Sequence, residues 1–225
     1  MQATGSLSVS NTTKFFLACG VIAGPLFTLA WFMLGLAREN YDPMRHPISA
    51  LAIGGDGWTQ SVNFLITGLL TLALAFGLQN VLQGDAGWAP ALIGAAGIGY
   101  IGDGFFVTDP LNGFPPGTPP VSIPPTLSGS LHLLFASLMF FGLPAACFEF
   151  ARYFSKQGDN SWAGYSKFTA IAFLGTYLVA SAGFLQAKDL VPYAGLIQRI
   201  SLTIGMVWMT LIPIHLLGAV SKEKK

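Results

Sequence analysis

Apolar residues run along this chain in six long blocks, without the two-residue alternation of a half-buried strand, and short polar stretches separate them. The blocks lie at about 15–36, 60–82, 88–108, 127–148, 168–186 and 198–218, each near the roughly 20 residues a helix needs to cross a bilayer. Hydrocarbon offers no partner to a backbone N–H or C=O, so a spanning segment is a helix or part of a closed barrel, and continuous apolar runs select helix. The pattern therefore predicts an all-α, polytopic transmembrane bundle of six helices. Residues 1–14 read as an N-terminal tail, about 15–218 as one transmembrane domain, and 219–225 as a basic C-terminal tail. The first run is longer than the apolar region of a secretory signal and only Lys14 precedes it, so a retained helix is expected.

Composition agrees. The chain is 52% hydrophobic and 9% charged, with a mean hydropathy of +0.59, against about 25% charged residues in soluble domains. Net charge is +1 and no basic stripe is present, so no nucleic-acid partner is expected and the lipid bilayer is the expected surrounding. Cys19 and Cys147 fall inside apolar runs and read as buried thiols rather than a disulfide framework.

Cytoplasmic loops are enriched in Lys and Arg. With the N-terminus inside, Lys14, Arg152, Lys156, Lys167, Lys222, Lys224 and Lys225 fall on the inner side, and Arg38, Arg45, Lys188 and Arg199 on the outer. Seven against four places both termini in the cytoplasm, in a multi-pass cell-membrane protein. The stretch YDPMRHPISALAIGGDGW, residues 41–58, then lies outside, as does the loop after the third run, with seven prolines between Pro110 and Pro125.

The rare polar residues of the first four blocks converge on that outer face. Asp103 and His132 are expected roughly 7–8 Å below their helix ends, from 1.5 Å per residue. Asn63 lies about a turn into the second helix, with Gln60 and Thr67 on its face, and Ser128 shares a face with His132. Arg45, His46, Ser49 and Asp109 occupy the flanking loops. These residues are the candidates for a ligand pocket: Arg45, His46, Ser49, Asn63, Asp103, Asp109 and His132. His215 belongs to the opposite end. An ionisable residue within a span is costly and faces a bundle interior or a wet cavity. His46, Asp103, Asp109 and His132 could also ligate a divalent metal, which would activate a water for hydrolysis, although no H-x-x-x-H or C-x-x-C spacing is present. Gly97-Ile98-Gly99-Tyr100-Ile101-Gly102 spells G-x-G-x-x-G, but no strand precedes it. It reads as a smooth helix surface for close packing, which suits a central third helix.

Arg45-His46-Pro47-Ile48-Ser49-Ala50-Leu51, followed by Gly54, Gly57-Trp58, Gln60 and Asn63-Phe64, resembles the first signature of a bacterial six-helix membrane family catalogued as domain of unknown function 998. Thr108-Asp109-Pro110 and Gly129-x-x-His132 resemble its downstream features, and the resemblance covers roughly residues 15–218. It implies a six-helix bundle in a bacterial inner membrane and implies no known activity. Three functions remain in competition. One is a membrane protein whose outer pocket binds a lipid head group or small solute. The second is a metal-dependent hydrolase acting on a lipid or amide. The third is a small transporter, disfavoured by the lack of matching polar residues at the midplane. A haem held by His46 and His132 is disfavoured because His46 is tied to Pro47.

Overall fold

The computed structural model describes residues 10–222. The N-terminal tail before residue 10, and residues 223–225 of the C-terminal tail, lie outside the described residues. Six helices follow in order: α1 (Asn11–Ala37), α2 (Trp58–Leu82), α3 (Ala89–Phe105), α4 (Leu127–Lys156), α5 (Asn160–Phe184) and α6 (Ala194–Lys222). The described residues contain no strand, only isolated bridges in the α3–α4 loop. Each helix packs on its sequence neighbours, and α6 returns to α1, so the six close into a ring. The loops α1–α2, α3–α4 and α5–α6 meet at one end, here the loop end. His215 Nε2 lies 3.4 Å from Asp159 Oδ2 at the other end, as its sequence position requires.

Five helical segments are long and apolar enough to cross a membrane. α3 is not one of them. It stops at Phe105, short of the expected 108, because the chain turns extended before Asp109-Pro110 and Pro110 cannot donate to a helical ladder. At 17 residues it spans about 25 Å, less than a bilayer core of about 30 Å. α4 and α5 depart the other way. They extend as helix through 149–156 and 160–167, polar turns that a hydropathy reading assigns to loop. Helical hydrogen bonding does not require apolar side chains, so these turns continue the helices beyond the apolar span.

Ring closure depends on close backbone approach. A Cβ placed on Gly68 of α2 would lie 2.7 Å from the Gly97 carbonyl of α3, and one on Gly99 2.6 Å from the Phe135 carbonyl of α4. The G-x-G-x-x-G run is therefore a packing surface. α3 is nevertheless a ring member between α2 and α4 and not a central helix. Aromatic rings fill the middle. Phe27 meets Tyr100 edge-on at 5.3 Å, and Phe150 meets the fully buried Trp208 at 5.4 Å. The Trp208 indole donates to Ser166 Oγ at 3.0 Å, which satisfies its one polar group. Both cysteines are free and buried. Leu29, Leu69, Phe76 and Leu133 face outward. Exposed Trp58 and Tyr193 at the loop end and Trp88 at the other end sit where aromatic belts mark the two membrane–water boundaries.

Candidate functional site at the loop end

The α1–α2 loop is fastened by an arginine that enters it from below. Arg199 lies five residues into α6 and is only 6% exposed. Its Nη1 donates to the carbonyls of Pro43 (2.6 Å), His46 (2.9 Å) and Gly195 (2.9 Å), and its Nη2 donates to Tyr41 Oη. The Tyr41 hydroxyl donates in turn to Pro47 O at 2.9 Å. The guanidinium also lies 5.4 Å from the Trp31 ring centre and 5.5 Å from that of Tyr41. No carboxylate pairs with it among the described residues. Its charge is solvated by carbonyl dipoles and aromatic faces instead. Burial pushes the Tyr41 phenol up to about 12, with the adjacent Arg199 charge and hydrogen bond pulling the other way. Gly195 permits the contact, since a Cβ there would stand 2.5 Å from His46 O.

His46 holds the same loop from inside. The Asp42 backbone N–H donates to its Nδ1 at 2.9 Å, so Nδ1 is an acceptor and the neutral ring carries its proton on Nε2. The ring packs between Tyr41 and Phe114, with centroids at 5.6 and 5.1 Å. Burial holds its pKa below the ordinary value, opposed by the Asp42 charge and reinforced by Arg45. Arg45 and Asn112 exchange hydrogen bonds, Nε to the Asn112 carbonyl at 2.9 Å and Asn112 Nδ2 to the Arg45 carbonyl at 3.0 Å. Gln186 donates to Asn112 Oδ1 at 2.7 Å, which ties in the α5–α6 loop. Asp109 accepts from Thr126 N (2.9 Å) and Thr126 Oγ1 (2.6 Å), while Thr126 Oγ1 caps α4 at Gly129 N. Arg45, His46 and Asp109 are thus occupied in building the loop lid.

Beneath the lid lie Asp103 and His132. Asp103 is only two residues from the end of α3, not the five expected, yet it is 2% exposed because the folded loops cover it. His132 Nδ1 sits 2.9 Å from the Phe106 carbonyl and 3.3 Å from Asp103 Oδ1. A carbonyl can only accept, so Nδ1 carries the proton and Nε2 is left as the basic ring nitrogen. The two side chains, with Ser49 and Gln198, line a cavity of about 30 Å³, room for about one water. Gln198 Oε1 also accepts from Ile48 N at 2.9 Å. Asn63 is buried on the α2 face beside it, its Nδ2 3.4 Å from the Phe27 carbonyl and its Oδ1 without a hydrogen-bond partner among the described residues.

The structure therefore brings Ser49, Asp103 and His132 to one cavity, keeps Asn63 buried against α1, and sets Arg45, His46 and Asp109 into the lid. Among the described residues no three His, Cys, Asp or Glu side chains are grouped to hold a metal ion. The α6 side of the cavity was not legible in a reading confined to α1–α4. The residue that sequence reasoning missed is Arg199. With the last helix begun at 198, it counted as a loop charge. A helix start at Ala194 puts it inside a helical segment long and apolar enough to cross a membrane, where an arginine normally marks a site.

Arg199 also borders a second space. A groove of about 650 Å³ opens sideways between α1, α5 and α6, lined by Trp31, Phe32, Phe168, Ile200, Ile204 and Val207, with Met44 and Arg199 at its loop end. Its walls are otherwise almost wholly apolar. Arg199 Nε is buried and has no hydrogen-bond partner among the described residues.

The family model described as Protein of unknown function (DUF998) matches residues 21–215. The chain belongs to this family. The match takes in α2 to α5 whole, most of α1 and α6, both lid loops and the Asp103–His132 pair. No curated protein and no solved structure matches the chain. Family and apolar helices together make this DUF998 member a multi-pass integral membrane protein of unknown function.

Proposed function

We propose that this DUF998 protein binds a membrane phospholipid through the lateral groove between α1, α5 and α6. The acyl chain lies along the apolar walls and the phosphate sits at the loop end, toward Arg199. One observation carries the reading: an apolar groove of about 650 Å³ ends at a buried guanidinium that forms no ion pair with a carboxylate among the described residues, the Asp42 charge acting on it only from farther off. A pocket of that size suits a lipid-scale ligand, and a cation at its end favours an anionic group. With Arg199 counted inside α6, seven Lys and Arg against Arg38, Arg45 and Lys188 support the orientation in which both termini are cytoplasmic and the loop end faces outward. In that orientation the bound lipid belongs to the outer leaflet of the cell membrane.

Photo-crosslinking tests this. A phospholipid with a diazirine on its acyl chain is supplied to the full chain in a bilayer, and the labelled peptides are mapped. Labelling is expected along residues 196–207 of α6 and is expected to vanish in Ile200→Trp/Val207→Trp. Both positions are outward-facing groove residues. Uniform labelling around all six helices, unchanged in the double variant, would reject the groove as a binding site.

A further inference from the structure

The end of the bundle opposite the lid carries a second groove. It is about 590 Å³, lies between the last turns of α4 and the first turns of α5, and has a floor of Phe148, Ala151, Ala163 and Gly164. Arg152, Lys156 and Lys167 rim it. Arg152 Nη1 is paired with Glu149 Oε1 at 2.8 Å. Lys156 and Lys167 form no ion pair among the described residues. The nearby Asp159 is already engaged, capping Trp162 N with one oxygen and facing His215 with the other. Glu149 and Asp159 therefore leave the two lysines unneutralised.

Depth identifies the ligand. Trp88, 74% exposed at the start of α3, marks the membrane boundary at this end. Its neighbour Gly87 is level with Glu149, since a Cβ on Gly87 would lie 2.8 Å from Glu149 Oε2. Lys156 is seven residues farther along α4, about 10 Å beyond that level. Lys156 thus reaches into the head-group layer, while Lys167, seven residues into the antiparallel α5, comes back to the level of Phe148 at the hydrocarbon edge. Basic pockets between helices at that depth recognise lipid phosphates.

We propose that this groove binds one acidic glycerophospholipid, with its phosphate between Lys156 and Lys167 and the top of its acyl chain against Phe148. The site is separate from the Arg199 groove and stands without it.

Native mass spectrometry of the full chain, released from neutral detergent, tests the proposal by titration with phosphatidylglycerol and with phosphatidylcholine. Phosphatidylglycerol is expected to bind at least about fivefold more tightly. Lys156→Gln/Lys167→Gln is expected to weaken phosphatidylglycerol by about ten- to thirtyfold, near fivefold per lysine, and phosphatidylcholine, whose choline offsets its phosphate charge, by less. Lys14→Gln/Lys188→Gln removes the same charge elsewhere and is expected to change neither. Ile200→Trp/Val207→Trp is expected to leave this site intact. Equal binding of the two lipids, an equal loss in the Lys14/Lys188 control, or displacement of phosphatidylglycerol by millimolar inorganic phosphate would overturn the proposal.

Discussion

Replacing Arg199 with methionine probes what the buried guanidinium does for the fold. Methionine keeps the length and packing of the stem and removes four donated hydrogen bonds. Gly195 O keeps its place in the helical ladder, and Pro47 O keeps Tyr41. The carbonyls of Pro43 and His46 lose their strong donor, at about 1–3 kcal/mol each. Two cation–π contacts disappear as well, at about 0.5–1 kcal/mol apiece. Against this, the variant no longer desolvates an unpaired charge, which returns part of the loss. The balance is a destabilisation of about 3–4 kcal/mol, a large value for one residue. Arg199→Lys keeps the charge but not the fork, and is expected to lose about half as much. Denaturant unfolding in mixed micelles, followed by tryptophan fluorescence, measures it, and Trp31 beside the guanidinium reports directly. A cost below about 1 kcal/mol for Arg199→Met would show that desolvation cancels the hydrogen bonds. Arg199 would then be present for a ligand and not for the lid.

Three further outcomes are expected. His46 is held neutral with a pKa below its ordinary 6.5, so the unfolded chain takes up a proton that the folded chain refuses. Its contribution is full above that value and is lost as pH falls through 6.5 toward the lowered folded value. Melting curves from pH 8 to 5 should therefore slope less in His46→Phe than in the wild type, and equal slopes would refute this. For Asp103 and His132, His132→Phe should cost about 2–4 kcal/mol, since it takes the imidazole from both the Phe106 carbonyl and the buried Asp103, and Asp103→Leu should cost less, since His132 keeps Phe106 O. The double variant should fall short of their sum by at least about 1 kcal/mol, and strict additivity would mean that the 3.3 Å approach carries no coupling. Gly68→Ala sets a Cβ 2.6 Å from Ile101 Cγ1 and 2.7 Å from Gly97 O, and should destabilise by about 1–3 kcal/mol. Gly94→Ala meets only Ala75 Cβ at 3.7 Å and should be neutral or stabilising in the same unfolding assay.

The chain by itself determined six apolar helices, their order, and the shared end of the α1–α2 and α3–α4 loops. Each of these follows from a one-dimensional constraint. A segment in hydrocarbon must close its own hydrogen bonds, and an alternating path places odd-numbered loops on one face. The same logic put Asp103 and His132 near that face and His215 at the other. Helix ends were less legible where hydrogen bonding and hydropathy diverge, as at 149–167, and where Pro110 cuts α3 short. Only the tertiary structure decided which polar residues meet. His46 and Asp109 share a face and a residue type with Asp103 and His132. Their backbone neighbours Asp42 N and Thr126 N claimed them for the lid. Arg199 looked like a loop charge until ring closure carried α6 against α1 and buried it under Tyr41. Such pairings depend on helix rotation and on contacts between residues more than 150 positions apart, as between Arg199 and His46. Hydropathy along the chain carries neither.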